Sequence, residues 1–383
     1  MTRVPPLRLA MVGGGPGSFI GPVHRMAAEL DGAFELVAGA FSRDRQRSIA
    51  AADRYGVATD RAYADYRQMI AAEHDRPDGA EVVAVVTPNH LHFPVAQAAL
   101  AAGIHVISDK PATATLAEAL ALQVMIDRAG VRYGLSYTYT GYPMVREARE
   151  LCCGGELGAI RKVVVEYSQG WLSHAIERAG DRQAAWRADP EQAGVGGCIG
   201  DIGVHAFNIA EFVSGRQVAE LCADLSSVVP GRALDDDCNM LLRFDNGAPG
   251  VLIASQIAAG DRNGLRLRVY GERGNLDWSH ENPQILTVNW ADRPTEILHA
   301  GAPYLRRGAT RDSRLPSGHP EGFIEAFANI YRDFADDIRA GGDRGESLVP
   351  GIEAGIRGVA FVECAVAASR ARAGWVKLDW SGA

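Results

Sequence analysis

No apolar run in this chain approaches the roughly 20 residues that a helix needs to cross a bilayer, so no membrane span is expected. Cysteine is sparse and unpaired in pattern. The six thiols, Cys152, Cys153, Cys198, Cys222, Cys238 and Cys364, show no C-x-x-C pair and no histidines at zinc-ligand spacing. A disulfide framework and a metal centre are therefore not expected, and adjacent Cys152 and Cys153 read as buried packing residues. A basic stripe interleaved with aromatics is missing too, and the formal charge is -8, which argues against nucleic acid as a partner. Residues 1–9 run straight into a strand-like segment and are too short for a signal peptide, so a reducing cytoplasm is the expected setting. Internal repeats and low-complexity tracts are absent.

What is present is an ordinary globular composition, 47% hydrophobic and 22% charged. With roughly 150 residues per domain, 383 residues make two or three domains. Up to about residue 140, short apolar runs alternate with helical patterns: LRLAMVG at 7–13, ELVAGAF at 35–41, EVVAVVTP at 81–88, HVISDKP at 105–111 and RYGLSYTY at 132–139. The intervening segments 45–56, 93–103 and 115–130 carry apolar residues at helical spacing and close with glycine. That alternation predicts an α/β domain over 1–140, a doubly wound parallel sheet that binds a nucleotide.

From 141 to 383 the regime changes. After a helix at 144–153 come the runs KVVVEY at 162–167, NMLLRF at 239–244, GVLIASQ at 250–256, LRLRVYG at 265–271 and QILTVNW at 284–290. These runs are read as following one another with turn signals such as Asp245-Asn246-Gly247 and no helix between, which predicts a mostly antiparallel open sheet. Helical patterns at 321–340 and 351–372 close the chain and are expected to pack on this sheet or across the domain boundary.

The first strand ends in Val12-Gly13-Gly14-Gly15-Pro16-Gly17-Ser18-Phe19-Ile20-Gly21, ahead of a helix expected from Val23. Glycines here let a pyrophosphate approach the backbone, and the following helix N-terminus favours its charge. Gly13, Gly15, Gly17, Ser18, Phe19 and Ile20 are the candidate contacts, although Gly21 stands three residues later than the G-x-G-x-x-G spacing puts it. At the end of the second strand, where an acidic residue holds the ribose of NAD, the chain has Ser42 and Arg43. Both NAD and NADP suit that chemistry.

Three further segments fall at carboxyl ends of predicted strands, where a doubly wound sheet places its ligand: Thr87-Pro88-Asn89-His90-Leu91-His92, Asp109-Lys110-Pro111 and Tyr137-Thr138-Tyr139. Lys110, on a stiff turn before a proline, is placed to point into the cleft. In the second domain, Asp201 and His205 are four apart at the start of a helical pattern, which puts both side chains on one face about 6 Å apart.

Together these motifs, a glycine-rich turn, T-P-N-x-x-H, D-K-P and G-G-x-x-x-D-x-G-x-H, resemble the Gfo/Idh/MocA family, the glucose-fructose oxidoreductase and inositol dehydrogenase group. The resemblance covers nearly the whole chain and implies a Rossmann domain followed by an α/β domain whose open sheet builds dimers or tetramers. It makes Lys110, Asp201 and His205 the catalytic residues: Lys110 in the cleft, Asp201 orienting substrate, His205 as acid and base. It places Gly13, Gly15, Thr87, Pro88, Asn89, His92, Asp109, Lys110 and Pro111 at the cofactor, NAD or NADP. Two departures stand out: Asp109 replaces the usual Glu and has a shorter reach, and the glycine turn is longer.

Oxidation of a secondary alcohol needs a hydride acceptor and a base. An imidazole, with an ordinary pKa near 6.5, suits the proton at neutral pH. For substrate selection, Tyr139, Trp171, His174, Arg178 and Trp186 combine aromatic faces with hydrogen-bonding heads, which suits a cyclic polyol or sugar. The GHPEGFIEAFANIYRDF and QGWL segments look most like the scyllo-inositol and related sugar dehydrogenase branch, so scyllo-inositol oxidised to scyllo-inosose is the expected reaction. A ketosugar reductase using NADPH, a nicotinamide-dependent glycosidase and a cofactor-sensing regulator are the alternatives. The arginine-rich segment 306–314 reads as a solvated loop.

Overall fold

The computed structural model describes residues 4–341 and 347–380 and divides into two compact units. One comprises the chain up to Thr138 together with Phe323–Ile356; the other comprises Tyr139–Gly322 and the chain from Arg357 onward. The sequence reading gave everything after 140 to the second domain, whereas the contacts return Phe323–Ile356 to the first.

In the first unit five parallel strands, β1 (Leu7–Gly13), β2 (Phe34–Ala40), β3 (Val82–Val86), β4 (His105–Ser108) and β5 (Tyr133–Leu135), stand in the order β2-β1-β3-β4-β5. The all-apolar β3 is buried along its whole length, as a parallel strand covered on both faces must be. The helices between carry the expected stops: Asp44 caps Arg45–Tyr55, Thr115 and Glu118 form a capping box on Leu116–Ala129, and Gly56 and Gly130 end these two helices in the left-handed conformation. The order reverses between β1 and β3, so the carboxyl ends of these two strands flank the crevice where such sheets bind nucleotides. Helix Phe323–Arg339 lies against helix Ile20–Leu30. Its Phe327, Ala328, Tyr331, Phe334 and Ala335 share a buried cluster with Val23, Ala27 and Ala28. The i, i+4, i+7 spacing of that apolar face needs a partner, and the first unit supplies it.

Among the described residues the second unit holds nine strands: β6 (Ile160–Ser168), β7 (Val218–Ser226), β8 (Asp237–Phe244), β9 (Pro249–Ser255), β10 (Gly264–Gly271), β11 (Gly274–Ser279), β12 (Ile285–Trp290), β13 (Glu296–His299) and β14 (Val376–Lys377). Their order is β13-β12-β11-β10-β6-β9-β8-β7-β14, antiparallel except where β6 runs parallel to β9 from Val163 beside Gly250 to Ser168 beside Ser255. Consecutive strands β9 and β10 point in opposite directions, and β6 is inserted between them, so it must be parallel to one.

The segment expected to be a solvated arginine loop is instead tied down. Arg306 pairs with Glu147 at 2.5 Å and also with Glu156, Arg314 pairs with Glu321 at 3.1 Å, and Arg146 meets Asp312 at 2.6 Å with both side chains 1% exposed. Cys152 is buried but Cys153 is exposed, because neighbours on a helix point about 100° apart and cannot both face the core. Among the described residues no helix is long and apolar enough to cross a membrane, and no cluster of His, Cys, Asp or Glu is placed to hold a metal ion.

Candidate functional site

In the first unit β1 runs into the glycine turn, and the next helix begins at Ile20 rather than Val23. Gly21 is therefore inside the first helical turn. A β-carbon there would lie 2.4 Å from Gly14 Cα, so the late glycine allows the helix to press on the turn. Gly13, at φ +95°, is equally constrained: a β-carbon would stand 2.1 Å from the Val86 carbonyl oxygen of β3. The Ser18 hydroxyl accepts from the Gly21 amide at 3.1 Å, and Phe19 is 68% exposed. A cavity of about 350 Å³ opens here, lined by residues 14–19 with Pro22, Ala51, Arg54 and Tyr55. Ser42 is half-buried and accepts from the Asp44 amide, while Arg43 is exposed.

At the end of β3, the Thr87 hydroxyl is buried with no hydrogen-bond partner, and it faces the same crevice edge as Gly13, whose absent β-carbon would stand 3.2 Å from the Thr87 methyl. A backbone cradle that side chains would fill, a helix N-terminus and an unsatisfied hydroxyl fit a dinucleotide pyrophosphate and ribose. His92 departs from the expected cofactor contact. Its Nδ1 lies 2.6 Å from the Pro111 carbonyl and its Nε2 2.8 Å from the Thr87 carbonyl, so both ring nitrogens are engaged in stapling one turn to the other. Burial pushes its pKa down, while the two carbonyls, which can both accept only from a doubly protonated ring, act to raise it.

Lys110 and Pro111 are joined by a cis peptide bond after β4, and Lys110 is half-buried. Asp109 beside it accepts the Lys110 amide at 2.8 Å and the Ser136 hydroxyl at 3.0 Å through Oδ1. The shorter acid is thus turned to its own turn. Burial acts to raise its pKa, but the facing His24 ring, followed by Lys110 and His92, outweighs it and holds the carboxyl well below the usual range.

In the second unit Asp201 sits in a π-helical turn, Ile199–Gly203, and His205 in the first turn of the helix Val204–Ser214. The regular helix expected through both residues is interrupted, and such wide turns occur often at functional positions. Asp201 Oδ2 accepts from Arg187 Nε at 3.1 Å and from Gln256 Nε2 at 2.9 Å. The Arg187 guanidinium lies over Trp186, 4.2 Å from the ring centroid, and 5.7 Å from that of Trp171. The two tryptophans therefore converge on the residue that holds Asp201. His174 and Arg178 are directed elsewhere, His174 to the Ser173 hydroxyl and Arg178 to the Pro230 carbonyl.

Around His205 is a polar aromatic wall that sequence reasoning found only in Tyr139. The Tyr139 ring meets the His205 ring edge-on at 5.1 Å, and its hydroxyl bonds Tyr167 and accepts from Asn263 Nδ2 at 3.1 Å. Tyr167 donates to Asn263 Oδ1 at 2.6 Å, and His280 shares its Nδ1 with Asn263 and its Nε2 with Tyr142 at 3.0 Å. Burial raises the pKa of both Tyr139 and Tyr167 and lowers that of His280, so the wall is neutral. Gln256 and Arg187 were also missed in this role. Gln256 carried a signal: it continues the inward parity of Leu252 and Ala254 and is 2% exposed, a buried polar residue where an apolar one belongs.

Residues 7–137 match the oxidoreductase family with an NAD-binding Rossmann fold, and residues 145–277 match the GFO/IDH/MocA C-terminal domain. An uncharacterized oxidoreductase of Bacillus subtilis, YfiI, is 36% identical over 97% of each chain, and a levoglucosan dehydrogenase of Pseudarthrobacter phenanthrenivorans is 27% identical over 97% of this chain and 98% of its own. Crystal structures of an inositol dehydrogenase homolog from Azotobacter vinelandii, 37% identical and covering 98% of both chains, superpose with TM-scores of 0.93 for the NAD+ complex and 0.90 for the complex with NADH and myo-inositol. With its parallel nucleotide-binding sheet, its antiparallel second sheet and similarity over its full length, the chain belongs to the Gfo/Idh/MocA family of oxidoreductases and uses NAD.

Proposed function

We propose that the protein is an NAD-dependent dehydrogenase that oxidises a secondary hydroxyl of a cyclic polyol, with an inositol as substrate and scyllo-inositol as the first candidate. One observation carries this reading: Asp201 is fixed by Arg187 and Gln256 beside the neutral wall around His205, in a chain 37% identical to one crystallised with NADH and myo-inositol. Glucose-like pyranoses present similar equatorial hydroxyls, and the likeness to a levoglucosan dehydrogenase supports testing them.

Bound NAD, held by the Gly13–Ile20 turn, Thr87, Pro88, Asn89 and the Lys110-Pro111 turn, supplies the hydride acceptor. The rest is proton and charge chemistry by the chain. His205 takes the hydroxyl proton as the carbon–oxygen bond becomes a carbonyl. Tyr139 and Tyr167 are held as neutral phenols by burial, so no phenolate competes for that proton. Asp201, held at Oδ2 by Arg187 and Gln256, orients a neighbouring hydroxyl of the substrate. The Lys110 ammonium favours the developing alkoxide. Trp171 and Trp186 offer faces to the ring. We further infer a cytoplasmic homo-oligomer, a dimer or tetramer.

The test is absorbance of reduced nicotinamide with NAD and NADP separately, against myo-inositol, scyllo-inositol, D-glucose and L-glucose. An inositol should reduce NAD, and Lys110→Ala and His205→Ala should each lower turnover about 10²- to 10⁴-fold. Undiminished turnover in both variants would overturn the residue roles. Silence across the whole panel would overturn the substrate class.

A further inference from the structure

His24 is a buried histidine that the reaction does not use. It lies one helical turn beyond Ile20, where the helix after the glycine turn begins, and its side chain is fully buried. Its ring is packed edge-on against Phe327 at 4.7 Å and Tyr331 at 5.9 Å. Nδ1 stands 2.7 Å from the Tyr331 hydroxyl. Nε2 has no hydrogen-bond partner and faces Asp109 Oδ2 at 4.0 Å.

The proton inventory orients this chain of groups. Tyr331 has one proton to donate, and burial together with the charge of Asp109 pushes its pKa well up, so the phenol stays protonated. When it donates to Nδ1, the imidazole proton resides on Nε2, the nitrogen that faces the carboxylate. The opposite tautomer would aim a lone pair at Asp109 across a water-poor gap, which is electrostatically unfavourable. Asp109 spends its other oxygen on the Lys110 amide and the Ser136 hydroxyl.

We propose that His24 is a positioning residue for Lys110, tying the turn that carries the lysine, through the Asp109 carboxylate, to the helix that opens at the glycine-rich turn. The proposal rests on the reading of Lys110 as a group of the reacting centre. It gives the Asp at position 109 a task that its short side chain can perform, and it makes the seat of the cofactor pyrophosphate and the set of Lys110 one mechanical piece.

Three variants test it: His24→Phe keeps the aromatic packing and removes the Nε2 proton, Asp109→Asn removes the charge, and His24→Gln restores a donor. Hydrogen–deuterium exchange of the peptide spanning residues 105–114 in NAD-free protein reads the turn directly, NADH fluorescence titration reads cofactor affinity, and kcat reads chemistry. In His24→Phe the peptide should exchange about tenfold faster and kcat should fall about tenfold, the scale of a modest misplacement of a reacting group. NADH affinity should change less than about threefold, and His24→Gln should recover most of the loss. Asp109→Asn should match His24→Phe, and the double variant should be no worse than either, because both break one link. Unchanged exchange and kcat in His24→Phe, or losses that add in the double variant, would overturn the proposal. Where His24→Phe does not fold, Asp109→Asn carries the same exchange and kcat criteria, and unchanged exchange and kcat in Asp109→Asn would overturn the proposal. Should Lys110→Ala leave turnover intact, the assignment of Lys110 fails while the exchange experiment still rules on the link.

Discussion

Asp201, proposed above to orient the substrate, is itself set by two neighbours. Its Oδ2 receives two donors, and one of them, Arg187, is stacked on Trp186 and bonded through Nη1 to Gln183. A planar guanidinium is suited to that double duty, since it can stack and donate in one plane, whereas an ammonium cannot. Hydrogen bonds to charged groups are worth about 1.5–3 kcal/mol, so Arg187→Met should lower kcat/KM for the polyol by roughly 10- to 100-fold while the KM for NAD stays within about twofold. Arg187→Lys keeps the charge but loses the stacking and should recover only part. Steady-state kinetics on both substrates decides: a kcat/KM within twofold of the parent in Arg187→Met would remove Arg187 from the site.

At the scale of elements, the segment 300–322 is held by ion pairs as well as by the buried Ala300, Ala302, Leu305 and Ala309. The Arg146–Asp312 pair joins helix Pro143–Cys153 to the residue after helix Arg307–Arg311, and it is almost wholly withdrawn from solvent. Breaking a buried pair by removing one partner strands the other charge, at a cost of about 3–5 kcal/mol. Asp312→Ala should therefore lose about that much in denaturant unfolding, or release the segment locally, which limited proteolysis after residue 300 would reveal. A loss below about 1 kcal/mol with an uncut segment would show that the pair does not hold it. None of this was legible in the sequence, where arginines 306, 307, 311 and 314 look like a solvated run; the acids that pair with Arg306 are about 150 residues away. The strands were legible where residues of one polarity sustain a run, as in β3 and β9. Others were missed: β7, which mixes Glu220 and Asp224 into VAELCADLS, and β11 and β13, whose GNLDWS and EILH lack the apolar runs that betray the equally short β4 and β5. Lys110, Asp201 and His205 could be picked out because each sits in a distinctive local motif. Arg187, Asn263 and His280 come together only through tertiary folding, so no spacing in the sequence announces them, and Gln256 showed only as a polar residue at an inward position of its strand.

For the molecule as a whole, the second unit's sheet keeps one face for its own core and leaves the other uncovered. The alternation in β8 is plain: Met240 and Leu242 are buried while Leu241 is 50% exposed. Register carries that apolar row across the sheet, from Leu241 to Val251 of β9 and from Val251 to Val164 of β6, before Arg268 of β10 ends it. A row of aliphatic side chains on the uncovered face of three adjacent strands suits the subunit contact proposed above, since monomers avoid contiguous exposed apolar area. A two-fold pairing of this face would bring each row against its copy, and a charge introduced at its middle would then meet the same charge across the axis. Val251→Lys is accordingly expected to shift the sedimentation-equilibrium mass from a multiple of 40.9 kDa to that of one chain, with far-UV circular dichroism unchanged, since the position is on the uncovered face. Retention of the parent mass by a folded Val251→Lys would move the subunit contact off this row, and a parent protein that sediments as a single chain would refute assembly itself.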